Sequence, residues 1–169
     1  MSDRNVVLTG FMGTGKTTVG RALADRLGWE FVDTDRIIEE RHGPINEIFA
    51  EHGEGAFRQF ERDVADELAD RRRLVIATGG RMLVDAVNAQ RLAETGDVVC
   101  LVASLDTILE RVDVDGAGAT RPLLRGDDVR ARVAALLAER SEAYGAFWQL
   151  DTDGRSPDEL AVAIIEHMV

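Results

Sequence analysis

The chain has 169 residues, 45% of them hydrophobic and 30% charged, which is typical of one globular domain with its own core. It has no apolar run of about 18 residues and no apolar leader at its start, so we expect a cytoplasmic protein that binds no membrane. A net charge of −11 argues against nucleic-acid binding, and Cys100 has no second cysteine for an internal disulfide.

Short apolar runs alternate with amphipathic stretches, which predicts an α/β fold whose parallel sheet is covered by helices on both faces. Strands are predicted at residues 5–9, 30–33, 74–77, 98–102 and 147–150. Helices are predicted at residues 16–27, 35–41, 45–51, 55–69, 84–93, 105–112, 128–143 and 157–168. Ligands of such folds bind beyond the carboxyl ends of the strands, so the loops that follow strands are the first candidates for a site.

The loop after the first predicted strand carries a phosphate-binding motif. Residues 10–17 read GFMGTGKT, which matches G-x-x-x-x-G-K-[ST] between a strand and a helix. Backbone N–H groups of such a loop bind phosphate oxygens, Lys16 would reach the β- and γ-phosphates, and Thr17 would ligate Mg²⁺. The third predicted strand ends without an aspartate, and Lys16 is the only lysine, so no guanine-reading motif exists. Both absences favour a small-molecule kinase over a GTPase or a motor.

Two carboxylates, Asp33 and Asp35, come at the end of the second predicted strand. A spacing of two residues places both on the same side of an extended chain. One would hold Mg²⁺ through water, and the other would accept the proton of a substrate hydroxyl. The alternative is structural, because Asp35 is also well placed to cap the helix that follows it.

Further candidates lie on two predicted helices and on one loop. Arg58 and Glu61 share a helix face, as a surface ion pair or as part of a site. Gly79 and Gly80 follow the third strand and permit either a tight turn or close approach of a ligand. Arg140 interrupts an apolar helix face, so it would pair with a buried acid or face a ligand anion.

The irregular segment 113–127 is predicted to be a lid, because long loops in compact domains are often functional. Arg121 on this segment would stabilise charge on the transferred phosphoryl group when the lid closes. A surface arginine without such a role is the alternative.

In order and spacing, these motifs resemble the shikimate kinase family. The resemblance runs from Val6 to about Pro157 and rests on GFMGTGKTTVGRALA, FVDTD, FRQFE, ATGG, RPLL and the helix of Arg140. It implies a three-layer, P-loop, nucleoside-monophosphate-kinase-like fold, with a five-stranded parallel sheet of order 2-3-1-4-5 and a mobile lid. Residues 1–169 would form one kinase domain, with the substrate region at about 33–61 and the lid at about 113–127. The implied activity is transfer of the γ-phosphate of ATP to the 3-hydroxyl of shikimate, a precursor of aromatic amino acids, by a monomer that uses Mg²⁺.

The resemblance also implies roles residue by residue. The catalytic residues would be Lys16, Asp35 and Arg121, and Thr17 and Asp33 would serve the metal. ATP would be bound by Gly13, Thr14, Gly15, Lys16, Thr17, Thr18, Arg111, Arg121 and Arg155. The acceptor would be bound by Asp35, Arg58, Glu61, Gly79, Gly80, Arg81 and Arg140. In this scheme Glu61 fixes Arg58, and the bidentate guanidinium groups of Arg58 and Arg140 clamp a carboxylate.

One position departs from the pattern of the family, which has three glycines where this chain has Gly79, Gly80 and Arg81. A guanidinium there would crowd the acceptor, point away from it, or contact a group on a different acceptor. The open alternatives are a kinase of another hydroxy acid, such as gluconate or a cyclitol acid, and a non-catalytic nucleotide-binding module. ATP-dependent transfer to any acceptor would exclude the module.

Overall fold

A computed structural model describes residues 3–114 and 128–168, and five strands and seven helices lie within those ranges. The strands are β1 (Asn5–Thr9), β2 (Glu30–Asp33), β3 (Leu74–Ala77), β4 (Gly96–Val102) and β5 (Trp148–Asp151). The helices are α1 (Lys16–Leu27), α2 (Thr34–His42), α3 (Ile45–Ala69), α4 (Ala86–Thr95), α5 (Leu105–Val114), α6 (Val129–Gly145) and α7 (Pro157–Met168).

The strands form one sheet of order β2-β3-β1-β4-β5 in which every neighbouring pair is parallel. This confirms the predicted fold class and strand order. The central strand β1 pairs with β3 through Val6 and Val75, and with β4 through Val7 and Val98. Because all strands run in one direction, the loops after β1, β2 and β3 meet at the same edge of the sheet.

The core lies on both faces of the sheet because successive strand residues point to opposite sides. Val6 and Leu8 of β1 pack with Leu23 of α1 and with α7 on one face. Val7 packs with Leu68 of α3 and with α4 on the other. The helices therefore form the two outer layers of a three-layer domain.

Several element boundaries differ from the predicted ones for local reasons. Asp33, not Asp35, caps α2: its extended backbone lets Oδ1 accept from the N–H groups of Asp35 at 3.0 Å and Arg36 at 3.3 Å. The structural alternative for Asp35 is therefore wrong, since Asp35 already lies in the first helical turn. The predicted break between the helices at 45–51 and 55–69 is confirmed, because the backbone at Gly53, with a φ of 81° and a ψ of 172°, is not helical and divides α3 there.

A short 3₁₀ turn at Met82–Val84 precedes α4, so that helix begins two residues later than predicted, after its cap Asp85. The remaining boundary differences, at the ends of α2, α4, α5, α6, β4 and β5, are one or two residues long. Arg121, the RPLL motif and residues 115–127 of the predicted lid lie outside the described residues. Within the described ranges, every helix is too short or too polar to cross a membrane.

Candidate active site

The phosphate loop joins β1 to α1 and is shaped by glycine. Gly10 has a φ of 134°, and a methyl group added there would lie 2.3 Å from the Leu101 carbonyl oxygen. Gly15, also left-handed, precedes α1 and offers no side-chain cap, so the first N–H groups of that helix stay available to an anion. The ammonium group of Lys16 donates to the carbonyl oxygens of Gly10 at 2.8 Å and Phe11 at 2.9 Å. The predicted phosphate-binding residues are thus gathered at one loop.

Oxygen ligands for a divalent cation lie beside this loop. The Thr17 hydroxyl is 3.3 Å from Oδ2 of Asp33, whose other oxygen caps α2. Hydroxyl and carboxylate oxygens are the donors that Mg²⁺ prefers. No group of three or more acidic, histidine or cysteine side chains suited to a metal occurs within residues 3–114 and 128–168. The chain therefore fits Mg²⁺ that takes its other ligands from phosphate and water.

Asp35 and Glu61 meet at Gly79. A methyl group at Gly79 would lie 2.6 Å from Oδ1 of Asp35 and 3.3 Å from Oε2 of Glu61. Glycine at this position lets both carboxylates reach the loop after β3. The Gly79 N–H donates to Thr34 Oγ1 at 3.0 Å, which ties that loop to the start of α2. Gly79 therefore permits close packing of acidic side chains, and the tight-turn alternative describes only part of its role.

Arg58 lies between two acids of its own helix. Its Nη1 donates to buried Glu61 at 2.5 Å, and its Nη2 donates to exposed Glu54 at 3.2 Å. Burial raises the pKa of Glu61 to about 7, partly offset by the Arg58 charge, while Asp35 and Asp85 raise it further. Glu61 is 1% exposed, so this pair is not the surface ion pair that spacing alone allows.

The raised pKa of Glu61 predicts a pH-dependent stability. Protonated Glu61 contributes to the free energy of unfolding below its ordinary pKa of 4.5. This contribution is lost as the pH rises through about 7, because the carboxyl group must then ionise in a buried site. We expect Glu61→Gln to flatten the fall of the unfolding free energy over this range, by on the order of 2 kcal/mol. Urea denaturation of both proteins at pH 4.5 and pH 7.5 measures the difference. Parallel pH profiles would contradict the assignment.

Arg140 of α6 is the largest fully buried side chain of the site, with 2% exposure. Its guanidinium lies over the Phe11 ring, 5.1 Å from the centroid, and Nη1 would be 3.0 Å from a methyl group at Gly80. Tyr144, one turn later, donates its hydroxyl to the Gly80 carbonyl oxygen at 2.5 Å. Arg140 makes no salt bridge with any described residue, and its Nε has no hydrogen-bond partner among them. Of the two alternatives for Arg140, the buried acid is thus not found in the described part of the chain.

Arg81 points toward acidic side chains at the cavity mouth. Its Nη1 lies 3.3 Å from Oε1 of Glu54, and its Nη2 lies 4.0 Å from Oε1 of Glu139 on α6. The side chain is about one-third exposed. Arg81 still lines the cavity, so its predicted contact with an acceptor stays a prediction.

On the nucleotide side, Arg111 and Arg155 border the phosphate loop. Arg111 donates to the Gly13 carbonyl oxygen at 2.9 Å and to Thr152 Oγ1 at 3.4 Å. Arg155 follows β5, and its N–H donates to the Thr152 carbonyl oxygen at 3.3 Å. Both arginines line the same cavity as the phosphate loop.

One cavity of about 1380 Å³ joins these parts. Every predicted site residue within the described ranges lines it, including Asp35, Arg58, Gly80, Arg81 and Arg140. Arg121 lies outside the described residues.

Sequence reasoning missed three contributors: Glu54, Phe11 beneath Arg140, and Tyr144 as a partner of Gly80. Spacing offered a signal for two of them, since Glu54 lies four residues before Arg58 and Tyr144 four after Arg140.

Comparison with known proteins finds close relatives over nearly the whole chain. The family described as shikimate kinase matches residues 12–169. A shikimate kinase of Moorella thermoacetica is 47% identical over 96% of this chain and 92% of its own length. A shikimate kinase of Geobacter sulfurreducens is 45% identical, over 97% of this chain and 92% of its own. The solved structure of shikimate kinase from Acinetobacter baumannii in complex with shikimate superimposes with a TM-score of 0.90 at 38% identity, over 98% of this chain and 92% of that one.

Proposed function

Because the chain belongs to the shikimate kinase family, we infer that it is an ATP-dependent kinase that transfers the γ-phosphate of ATP to the 3-hydroxyl of shikimate. One observation carries this function most directly. A buried arginine without an acidic partner among the described residues, Arg140, faces the same cavity as Arg58, Asp35 and the phosphate loop. The cavity thus offers cations for the carboxylate of shikimate and a carboxylate for its hydroxyl, next to a site for ATP.

In the reaction that we propose, the chain acts by positioning and by neutralising charge. Lys16 and the amides of the phosphate loop bind the β- and γ-phosphates of ATP. Asp35 orients the attacking 3-hydroxyl and accepts its proton as the new O–P bond forms and the bond to ADP breaks. Arg58 and Arg140 hold the shikimate carboxylate, and Glu61 fixes Arg58 from behind. Arg121 and the predicted lid at 113–127 would close over ATP and exclude water.

Mg²⁺ fits this site through Thr17 and Asp33, whose side-chain oxygens are 3.3 Å apart. When bound, it neutralises charge on the phosphates. Arg111 and Arg155 would contact the adenosine part of ATP, since both line the cavity beyond the phosphate loop. Gly79 and Gly80 would form the wall against the ring of the acceptor.

We further propose that residues 1–169 act as one kinase domain, as a monomer in the cytoplasm. The single sheet with helices on both faces supports one domain. The substrate region 33–61 would comprise the end of β2, α2 and the first half of α3, and the kink at Gly53 divides that helix within the region.

The test is release of ADP from MgATP in a coupled assay, with shikimate beside quinate, gluconate and cyclitol acids. Saturable turnover with shikimate alone is the expected result. Turnover with another acid, together with no measurable turnover of shikimate, would make Arg81 the residue that selects a different acceptor. ATP binding without turnover of any acid would instead support the non-catalytic module.

Arg58→Ala provides a sharper test of the acceptor site. The variant should raise the KM for shikimate on the order of 10- to 100-fold, because a charged hydrogen bond to the acceptor is lost, and change the KM for ATP little. Arg91→Ala is the matched control, since Arg91 also pairs with carboxylates, those of Asp66, Asp70 and Glu94, but lies outside the cavity. Equal changes in both KM values would mean that Arg58 is structural.

A further inference from the structure

The cavity that contains the predicted site residues is also lined by a partly exposed cation, Arg81. Arg81 follows Gly80 directly and places its guanidinium between Glu54 of α3 and Glu139 of α6, at 3.3 and 4.0 Å. The backbone at Arg81, with φ −105° and ψ −2°, is open to any residue. The arginine is thus not needed for the turn, and its role lies in its side chain.

Glu54 is shared between two guanidinium groups. The same Oε1 atom accepts from Arg81 Nη1 at 3.3 Å and from Arg58 at 3.4 Å through Nε and 3.2 Å through Nη2. All three contacts are long, whereas Arg58 holds Glu61 at 2.5 Å. Glu54 is also half-exposed and follows the kink at Gly53. Its carboxylate is therefore held loosely between two cations.

This arrangement sets up a competition for Arg58. A guanidinium presents its N–H groups in a rigid planar fork, and Glu61 already occupies Nη1 of Arg58. The Nε and Nη2 edge, which an acceptor carboxylate would need for bidentate binding, is the edge that Glu54 contacts. An acceptor must consequently displace Glu54 from Arg58 or share that edge with it.

We propose that Arg81 is a positioning residue that draws the Glu54 carboxylate away from Arg58 and so frees one edge of Arg58 for the carboxylate of the acceptor. The inference rests on the proposed function, which supplies an acceptor with a carboxylate. Arg81 keeps Glu54 paired when Arg58 turns to the acceptor, so the charge of Glu54 does not remain uncompensated at the cavity mouth. Without Arg81, Glu54 has Arg58 as its remaining cation among the described contacts.

The test is a double-mutant cycle on Arg81 and Glu54. Arg81→Gly should raise the KM and Kd for shikimate about three- to fivefold, the size typical of partly exposed ion pairs, and leave kcat and the KM for ATP unchanged. In a Glu54→Gln background the same substitution should leave shikimate affinity unchanged, because no competing carboxylate remains. Arg81→Lys should restore part of the affinity, and high salt should shrink the whole effect.

The Arg81–Glu54 pair also connects the segment after Gly80 to α3, and Arg62→Ala is the matched control for the loss of such a connection. Arg62 on α3 pairs with Asp85 at 2.9 Å, joining the same two segments outside the cavity. This variant should leave the KM for shikimate unchanged. A rise equal to that of Arg81→Gly would make Arg81 a structural tie and overturn the proposal.

The remaining outcomes separate the inference from the proposed function. A rise in KM that is equally large in the Glu54→Gln background would mean that Arg81 acts on the acceptor directly, and an unchanged KM in Arg81→Gly would mean that it does nothing. Either result overturns the inference, while turnover of shikimate by the unaltered protein would uphold the kinase function. Calorimetry reads shikimate affinity without turnover, and no binding to the unaltered protein would overturn both.

Discussion

Replacing Lys16 with alanine should lower kcat about 10³-fold, because preorganised charge at the transferred phosphoryl group is the largest catalytic contribution of such a site. The ammonium group lies at the phosphate loop, 2.8 Å from the Gly10 carbonyl oxygen, and no other lysine exists to replace it. The effect should fall on turnover, with shikimate affinity almost unchanged. ADP release under saturating substrates measures kcat, and calorimetry with shikimate measures the acceptor site separately.

Two comparisons make the Lys16 result specific. Lys16→Arg keeps the charge but replaces a compact ammonium by a larger planar group, so it should recover only part of the activity. Arg26→Ala removes an exposed cation that pairs with Asp158 at the far end of α1 and should behave like the unaltered protein. A kcat of Lys16→Ala within about tenfold of normal would contradict charge stabilisation by Lys16.

Asp35→Asn should lower kcat by about 10²- to 10⁴-fold, the usual loss when a general base is removed. Asparagine is nearly isosteric with aspartate, so the packing of this side chain against Gly79 is retained. The Asp35 carboxylate does not cap α2, because Asp33 accepts from the first N–H groups. Loss of activity in this variant therefore reports on proton transfer more than on helix stability. Single-turnover kinetics would separate the chemical step from binding.

Asp85→Asn is the matched control for this substitution. Asp85 caps α4 through the Val87 N–H and lies outside the cavity, and asparagine caps a helix about as well as aspartate does. Its kcat should stay normal. Near-full activity of Asp35→Asn would remove Asp35 as the base and leave it at most an orienting contact.

The parts of this molecule that the sequence predicts well are those decided by local patterns. The β1 strand and the phosphate loop follow from an apolar run and from a motif with fixed spacing, and both lie where they were predicted. The kink in α3 also has a local cause, because Gly53 and Gly55 interrupt the helical pattern. Likewise, the predicted strand order follows from the resemblance of several motifs in sequence.

Contacts between elements that are distant in the chain cannot be predicted from the sequence patterns. The pairing of Arg81 with Glu54 depends on how closely α3 passes the loop after β3, which spacing within one helix does not encode. The hydroxyl of Tyr144 reaches Gly80 across 64 residues of chain, a contact that the position of Tyr144 four residues after Arg140 does not reveal. The sequence offers Asp35 as a cap of α2 only as an alternative, and it cannot distinguish Asp35 from Asp33, because the choice depends on the extended backbone conformation of Asp33.

The Lys16 ammonium group at the phosphate loop has one more consequence. All other cationic side chains, apart from histidine, are guanidinium groups, so the one side-chain primary amine of this sequence lies at the phosphate loop. Acylating reagents and aldehydes that attack side-chain amines would accordingly modify this protein at Lys16, in the proposed ATP site. A protein with many surface lysines distributes such adducts over many positions, whereas here one side-chain adduct, on Lys16, would block the proposed ATP site.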